Sequence, residues 1–559
     1  MGFRYRISLF FFLFLFFLVI GRLFYWQVVR ASELQSLAEA QYGRQINLPA
    51  TRGEIKTADG FAIVANKLSY LVFLNPKELK DKKELSDALA PIIDTESASI
   101  SAKILPDRYW VPIKSHINND SKDKIEALKF PGIGFQEEAT RFYPEASIAA
   151  KLLGFVGKDD NGSEKGYFGL EGYYDRQLRG KDGLATIIHD AAGHPILSKL
   201  SDSTGKTDGR SLILNIDRSI QFMLDNTLKD GIEQYGAKGG TAAIMDPKTG
   251  AILAMSSFPT FDPRHFEVYS DDLYRNAFIN DTYEPGSTFK PLVMAAAIDS
   301  NLVKPDTKCP ICAGPVSIGG YEIKTWNDKY NANESMTDVI MHSDNTGMVY
   351  VSQKLGLDRM VSYLDKFGVQ DLTGIDLQGE VSPNVRQKEN WYPIDLATAS
   401  FGQGITVTPI ELLTAFSAIA NNGKRMEPHI VSKIITADGK NIDIQPKVLS
   451  NPVSERAAKI TTEMMVNAVD SGEAKFFKPK GYRIAGKTGT AQIPVAGHYD
   501  ATKTIASFVG FAPADDPKFL MLVVFDQPTS SIYGAETAAP TFFQVAKNIL
   551  TYYGIPPSE

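Results

Sequence analysis

Tyr283-Glu284-Pro285-Gly286-Ser287-Thr288-Phe289-Lys290-Pro291 is the stretch on which the reading of this 559-residue chain turns. Pro-Gly makes a turn, Ser287 falls at a helix start, and the three-residue offset puts its hydroxyl and the Lys290 amine on one helical face. A serine hydroxyl is a poor nucleophile until a neighbour takes its proton, and a lysine does so only when burial or another cation lowers its pKa. The pattern alone is weak: Ser121-Lys122-Asp123-Lys124 and Ser203-Thr204-Gly205-Lys206 repeat it in polar surroundings that read as solvated loops. Ser343-Asp344-Asn345 follows 56 residues after Ser287, and Lys487-Thr488-Gly489-Thr490 another 144 after Ser343. These also have decoys, Ser382-Pro383-Asn384 and the turn Lys248-Thr249-Gly250. Only one combination runs S-x-x-K, S-x-N, K-T-G in that order, with Ser287 opening a helix, Ser343 between helices and Lys487 in a strand-like run.

Outward from these motifs, residues 241–245 and 251–256 are apolar runs flanking Asp246-Pro247-Lys248-Thr249-Gly250, which predicts a β-hairpin. Helical stretches follow at 291–299, 348–367 and 409–421. Residues 482–493, 504–511 and 519–525 read as three further strands, the last two joined by the turn at 512–517, and a helix over 540–552 closes the pattern. Strands at both ends with helices between predict one α/β domain around an antiparallel sheet of about five strands, with helices on both faces. Upstream the character is mixed, α+β: 70–75 (YLVFLN) and 185–189 (ATIIH) are strand-like, and 158–166 reads as a loop. The Ser-, Gly- and Asp-rich stretch 200–210 is the best domain boundary. The expected division is 1–30, 31–207 and 208–559.

Residues 7–29 form an apolar run broken only by Arg22, long enough to span a hydrocarbon core of about 30 Å. Arg22, Tyr25 and Trp26 suit the interface, and Arg4 and Arg6 favour a cytoplasmic N-terminus with the body outside. No small-x-small site follows, so an uncleaved signal anchor is expected over a cleaved signal peptide. The 59 basic and 65 acidic residues leave a net charge of −6, which argues against bulk nucleic-acid binding. Hydrophobic content of 43% and aromatic content of 11% exclude a mainly disordered chain. The only cysteines, Cys309 and Cys312, lack the partners of a zinc site or thioredoxin-like motif and read as a local disulfide or two plain thiols.

The ordered trio is that of serine penicillin-recognising enzymes. The run 283–291 resembles the nucleophile segment of class B penicillin-binding proteins, the monofunctional peptidoglycan transpeptidases. Lys487-Thr488-Gly489-Thr490-Ala491-Gln492 is similar to their third motif. Phe401-Gly402-Gln403-Gly404 with Val407-Thr408-Pro409 is similar to a segment between the second and third. Arg52-Gly53-Glu54-Ile55, Arg141-Phe142-Tyr143-Pro144 and Gly169-Leu170-Glu171-Gly172 with Leu178-Arg179-Gly180 resemble the three motifs of the non-catalytic pedestal, a dimerisation-like domain. The resemblance covers essentially the whole chain. It departs at Lys56-Thr57-Ala58-Asp59-Gly60, where the family usually has an Asp-Arg-Asn-Gly-like turn. Tyr482-Arg483-Ile484-Ala485-Gly486 and Gly374-Ile375-Asp376-Leu377 with Gly379-Glu380 look closer to the division group than to the elongation group.

The resemblance implies that Ser287 attacks the carbonyl between the terminal D-alanines of a stem peptide and becomes an acyl-enzyme. Lys290 is then the base, kept neutral with help from Lys487, since two close ammonium groups destabilise each other. Ser343 relays a proton, Asn345 grips the donor backbone, and the backbone N–H groups of Ser287 and Thr490 form the oxyanion hole. Thr488 and Thr490 meet the substrate carboxylate, with Gly489 between them in the binding strand. Deacylation then takes an amine from a neighbouring stem peptide. The bland readings are a helix cap for Ser343, a plain strand residue for Thr488 and a surface lysine for Lys290. His342 reads as packing or surface, and Glu284 as structural or solvated.

No cofactor or metal is implied. The expected partners are lipid-linked stem peptides, β-lactams, the membrane, a multipass glycosyltransferase and other division or elongation proteins, without nucleic acid. The rivals are a β-lactamase, for which no E-x-x-L-N segment is present, a D,D-carboxypeptidase, a β-lactam sensor, an elongation-complex transpeptidase and a catalytically silent scaffold.

Overall fold

Five strands whose side chains alternate between two apolar faces carry the centre of the molecule, here a computed structural model. It describes residues 2–34, 37, 43–106, 108, 110–145, 148–160, 162–189, 195–383, 387–495 and 498–558. The strands are β1 (Gly239–Met245), β2 (Ile252–Phe258), β3 (Ala485–Val495), β4 (His498–Ala512) and β5 (Phe519–Asp526). They pair in the order β2-β1-β5-β4-β3, every neighbour antiparallel. Ala242, Ile244, Phe508, Met521, Val523 and Phe525 pack on one face under helices α1 (Arg218–Tyr235) and α6 (Ala538–Tyr552). Ala243, Met245, Val509, Phe511, Leu520 and Leu522 point the other way. There they meet a layer that includes α2 (Lys290–Asp299), α3 (Asn345–Phe367), α4 (Pro409–Ala420) and α5 (Glu455–Ser471). Because side chains alternate along a strand, a sheet covered on both sides has apolar residues at successive positions, which is why these strands read as continuous apolar runs. The α/β domain with a five-stranded antiparallel sheet is as expected.

Compactness divides the chain into residues 1–52 with 179–209, and residues 53–178 with 210–559. The first unit holds the apolar helix Phe3–Phe24 and a three-stranded antiparallel sheet of Gly43–Leu48, Gly183–His189 and Pro195–Thr204. Residues 3–29 are long and apolar enough to cross a membrane, and the Arg22 and Arg30 guanidiniums lie over the Trp26 ring at 5.2 and 5.1 Å. The second unit contains the five-stranded sheet and a seven-stranded one. In the latter Ser211–Leu214 and Val431–Ile435 join Ile55–Lys56, Ala62–Leu74, Val111–Ile117 and Ile133–Phe142.

Several expectations are corrected. Residues 158–166 are not one loop: Phe155–Lys158 and Glu164–Tyr167 pair as a hairpin, and Asn161 lies outside the described residues. The strand Pro195–Thr204 takes the first half of the stretch read as a boundary loop. Ser121 and Lys124 sit in the helix Asn119–Ala127, where Asn118 caps the N-terminus and Lys122 pairs with Glu126 one turn on. Asn384 of the S-x-N decoy lies outside the described residues. The helix read from 348 starts at Asn345 and is interrupted at Gly356, whose φ is 73°. Strand β4 begins six residues before the expected 504, because the β3–β4 hairpin continues past a register shift at Gln492/Ile493.

The pedestal motifs converge on one buried ion pair. Arg141 Nε donates to Glu171 Oε1 at 2.7 Å, and its Nη1 donates to the Gly53 carbonyl at 2.7 Å and to Asn66 Oδ1 at 3.0 Å. Removing one member of such a pair leaves the other charge buried without its counterion. Glu171→Ala is therefore expected to cost about 3–5 kcal/mol, seen as a lower urea midpoint of the detergent-solubilised chain. A midpoint equal to wild type would refute a stabilising role for this pair.

Candidate active site

The nucleophile segment is shaped by what lies behind it. Tyr283 pairs its backbone with Val407 in both directions, at 3.0 and 2.9 Å, and Gly286 N donates to Gly402 O at 3.0 Å. A Cβ on Gly402 would meet Gly286 N at 2.7 Å and O at 2.2 Å, so only glycine lets residues 401–407 back this turn. Gly286–Phe289 then form a single 3₁₀ turn that runs into α2. From the other side β3 presses close: a Cβ on Gly489 would lie 2.7 Å from Thr288 Cγ2. Ser287 is half-buried.

Lys290 is fully buried, 0% exposed, in a helix of which every residue from 290 to 298 is buried. Its Nζ lies 2.6 Å from the Ser343 carbonyl oxygen, 2.8 Å from Asn345 Oδ1 and 3.2 Å from Ser343 Oγ. Lys487, 3% exposed, donates from Nζ to Ser343 Oγ at 3.0 Å and to the Thr488 carbonyl at 3.2 Å. One hydroxyl thus stands between two buried amines. Burial first, and the nearby Lys487 second, hold the Lys290 amine well below the ordinary lysine value, against the weaker pull of Asp344, Glu473 and Glu334. Burial pushes Lys487 down to about 8, opposed by Glu473. Lys290 has three acceptor atoms around it, yet a neutral amine satisfies the same geometry. It keeps donating to the carbonyl and to Asn345 and has a lone pair left to accept a proton.

The structure brings Lys290, Ser343, Asn345, Lys487 and Thr488 into this hydrogen-bonded group, with Thr490 along the same strand as Lys487 and Ser287 in the 3₁₀ turn that leads into the helix Lys290 begins. Ser343 is not the helix cap: Asp344 caps α3, accepting from Gly347 N at 3.0 Å, and Ser343 adopts a φ of 59° just before it. Thr488 does more than fill a strand, since its Oγ1 lies 3.3 Å from Lys487 Nζ and 3.5 Å from Glu473 Oε2. Asn345 Nδ2 donates to the Lys324 carbonyl at 2.9 Å, and Thr490 Oγ1 accepts from Gly534 N at 3.0 Å. His342 is exposed at the surface, as read, and its Nδ1 lies 2.5 Å from Oε1 of the buried Glu334. Cys309 and Cys312 form a disulfide. The Cys312 sulfur lies within 4.8 Å of carboxylate oxygens of Glu334 and Asp344, but as half of a disulfide it is no thiolate ligand.

Sequence reasoning missed the part played by Glu284 and Asp376. Glu284 accepts from Gly404 N at 3.1 Å and from Tyr499 Oη at 3.2 Å, tying the nucleophile turn to the segment behind it and to the far end of the β3–β4 hairpin. Burial raises its carboxyl and, with Glu284 itself, pushes the Tyr499 phenol up to about 12. The buried Asp376 accepts from Ile430 N at 2.6 Å, Val431 N at 2.9 Å and Tyr174 Oη at 2.9 Å. Acidic residues beside Pro-Gly and Gly-Ile were visible in the sequence, but their partners lie tens to hundreds of residues away.

The penicillin-binding protein transpeptidase domain model matches residues 240–551, and the penicillin-binding protein dimerisation domain model matches 47–214. Stage V sporulation protein D of Bacillus subtilis is 33% identical over 558 residues, covering 97% of this chain and 85% of the relative. Peptidoglycan D,D-transpeptidase FtsI of Escherichia coli is 30% identical over 553 residues, covering 96% and 90%. A crystal structure of a peptidoglycan synthetase from Bifidobacterium adolescentis superposes with a TM-score of 0.75 at 26% identity, covering 92% of this chain and 98% of that one. The chain belongs to the class B penicillin-binding proteins, peptidoglycan transpeptidases whose catalytic domain follows a dimerisation domain.

Glu284→Gln keeps the side chain's size and removes one acceptor oxygen from the clamp on the nucleophile turn. Labelling by a fluorescent penicillin is expected to slow about tenfold, the scale of a small misplacement of reacting groups, with folding intact by circular dichroism. An unchanged labelling rate would mean that the clamp does not position the serine.

Proposed function

We propose that Ser287 is the nucleophile of a D,D-transpeptidase that cross-links peptidoglycan stem peptides, the role of each site residue being that implied by its motif. The observation that carries this reading is Ser343 Oγ, at 3.2 and 3.0 Å from two buried lysine amines. Ser287 Oγ adds to the carbonyl carbon between the two terminal D-alanines as its proton passes to neutral Lys290. The N–H groups of Ser287 and Thr490 meet the oxyanion, and Thr488 and Thr490, with Gly489 between them, meet the terminal carboxylate. The C–N bond breaks, and the departing amine takes a proton delivered from Lys290 through Ser343. Lys487 supplies the opposing positive charge and Asn345 holds the donor backbone. An acceptor amine then attacks the ester carbon, the Ser287 Oγ–C bond breaks, and the amine's proton returns by the same relay.

The placement that suits this chemistry is a single N-terminal membrane span with the N-terminus in the cytoplasm and the catalytic part outside. Residues 31–207 would serve as pedestal and 208–559 as transpeptidase domain, a division supported by the matched ranges 47–214 and 240–551. Lipid-linked stem peptides supply the substrate, and a multipass glycosyltransferase engaging the anchor and pedestal supplies glycan. Similarity to FtsI supports a role in cell division. Similarity to a sporulation protein supports a second setting, sporulation, for the same reaction.

Intact mass after penicillin treatment tests the nucleophile. A single stable adduct on wild type and none on Ser287→Ala is expected, whereas an adduct retained by Ser287→Ala would overturn the assignment. The pH profile tests the lysines. Acylation needs Lys290 neutral and Lys487 charged, so the rate should fall as pH rises through about 8, approaching tenfold per pH unit. Lys487→Arg keeps its charge and should abolish that alkaline fall; persistence of the fall would exclude Lys487 as its source.

A further inference from the structure

Two half-exposed aromatic side chains meet across the cleft, and each is carried by a loop that a motif residue holds. Trp326, 50% exposed, lies two residues after Lys324, whose carbonyl accepts from Asn345 Nδ2 at 2.9 Å. Tyr533, 39% exposed, precedes Gly534, whose N–H donates to Thr490 Oγ1 at 3.0 Å. The Tyr533 loop is fixed further by Thr504 Oγ1 donating to the Ile532 carbonyl at 2.8 Å and by Thr537 Oγ1 donating to the Tyr533 carbonyl at 2.8 Å. The rings stand edge to face, centroids 5.6 Å apart at 64°. One loop is therefore pinned to the S-x-N motif and the other to the K-T-G-T strand, and the ring pair spans the gap between them. The two polar side chains that pin the loops, Asn345 and Thr490, are also those to which the motif reading gives the donor peptide.

We infer that Trp326 and Tyr533 form an aromatic clasp over the acyl-enzyme that selects an amine over water as the acceptor. This rests on the serine acyl-enzyme reading. A donor peptide that takes over Asn345 and Thr490 releases both loops from their motif contacts, and the rings then close on the apolar part of the bound acyl chain. Water approaching the ester meets two ring faces with one phenol and one indole N–H between them, whereas an acceptor peptide gains contact area from the same rings. Both routes balance identically: the incoming N or O forms a bond to the acyl carbon, the Ser287 Oγ–C bond breaks, and one proton returns to Oγ through Lys290. The clasp moves no proton and makes no covalent bond; Trp326 and Tyr533 act through their contacts with the acyl chain and the acceptor.

The experiment uses the full chain in detergent with an N-benzoyl-D-alanyl thioester as donor and D-alanine as acceptor, and measures the ratio of aminolysis to hydrolysis. Trp326→Ala and Tyr533→Ala are each expected to lower that ratio about tenfold and to shorten the lifetime of the penicilloyl adduct. Trp326→Phe and Tyr533→Phe restore the ratio, and Phe222→Ala, an exposed aromatic on α1, leaves it unchanged. A general loss of folding would lower both products together and leave the ratio alone. Normal adduct formation with a ratio within twofold of wild type in both alanine variants overturns the clasp while the acyl-enzyme stands. Absence of any adduct on folded wild type overturns both.

Discussion

Lys290 and Lys487 are held inside the protein around the Ser343 hydroxyl, and the transpeptidase half is organised to keep two amines there without two full charges. An isolated buried ammonium is so poorly solvated that it gives up its proton, so burying α2 on all sides tunes Lys290 as well as packing it. The acidic neighbours work against this. Asp344, Glu473 and Glu334 pull a proton back onto Lys290, but less strongly than burial and Lys487 push it off, and burial raises the Glu334 carboxyl to about 7 against its contact with His342.

The sheet supplies the second constraint. β3 is an edge strand of the five, so among the described residues one side of its backbone has no strand partner and can face a peptide laid along it. Its inner side is locked to β4 over the whole motif, from Lys487 opposite Val509 to Thr490 opposite Ala506. A Cβ on Gly489 would stand 2.7 Å from Thr288 Cγ2 and 3.2 Å from the Pro285 carbonyl oxygen, so glycine there lets the nucleophile turn and that edge approach each other. A larger residue at 489 would move the binding strand away from Ser287.

The site's motifs were legible because bond-making tolerates few residue types: two serines, two lysines and an asparagine at fixed helical or strand settings left one consistent combination. The five strands were legible for a related reason, since a sheet covered on both faces gives unbroken apolar runs. What stayed hidden depends on pairing at a distance. Nothing local in Glu284 announces Tyr499, and nothing in Asp376 announces Tyr174. Residues 158–166, the middle of a hairpin, were read as a loop because its strands are four residues each and the stretch is strongly polar. The decoy at Ser121 was read as a loop because a short helix with mostly exposed residues has almost no apolar stripe.

Sheet pairing also changes how the pedestal relates to the chemistry. Strands 211–214 and 431–435 complete the sheet that contains 55–56 and 62–74, so residues upstream and downstream of 207 share backbone hydrogen bonds. Asp376 then joins Tyr174 to the amides of Ile430 and Val431 through one buried carboxylate, whose acceptor capacity those donors largely occupy. A hinge between such elements would have to break strand pairing and leave a buried carboxylate without its donors, each of which is costly in the interior. Residues 53–178 are therefore better regarded as a rigid extension of the catalytic body than as a flexible stalk.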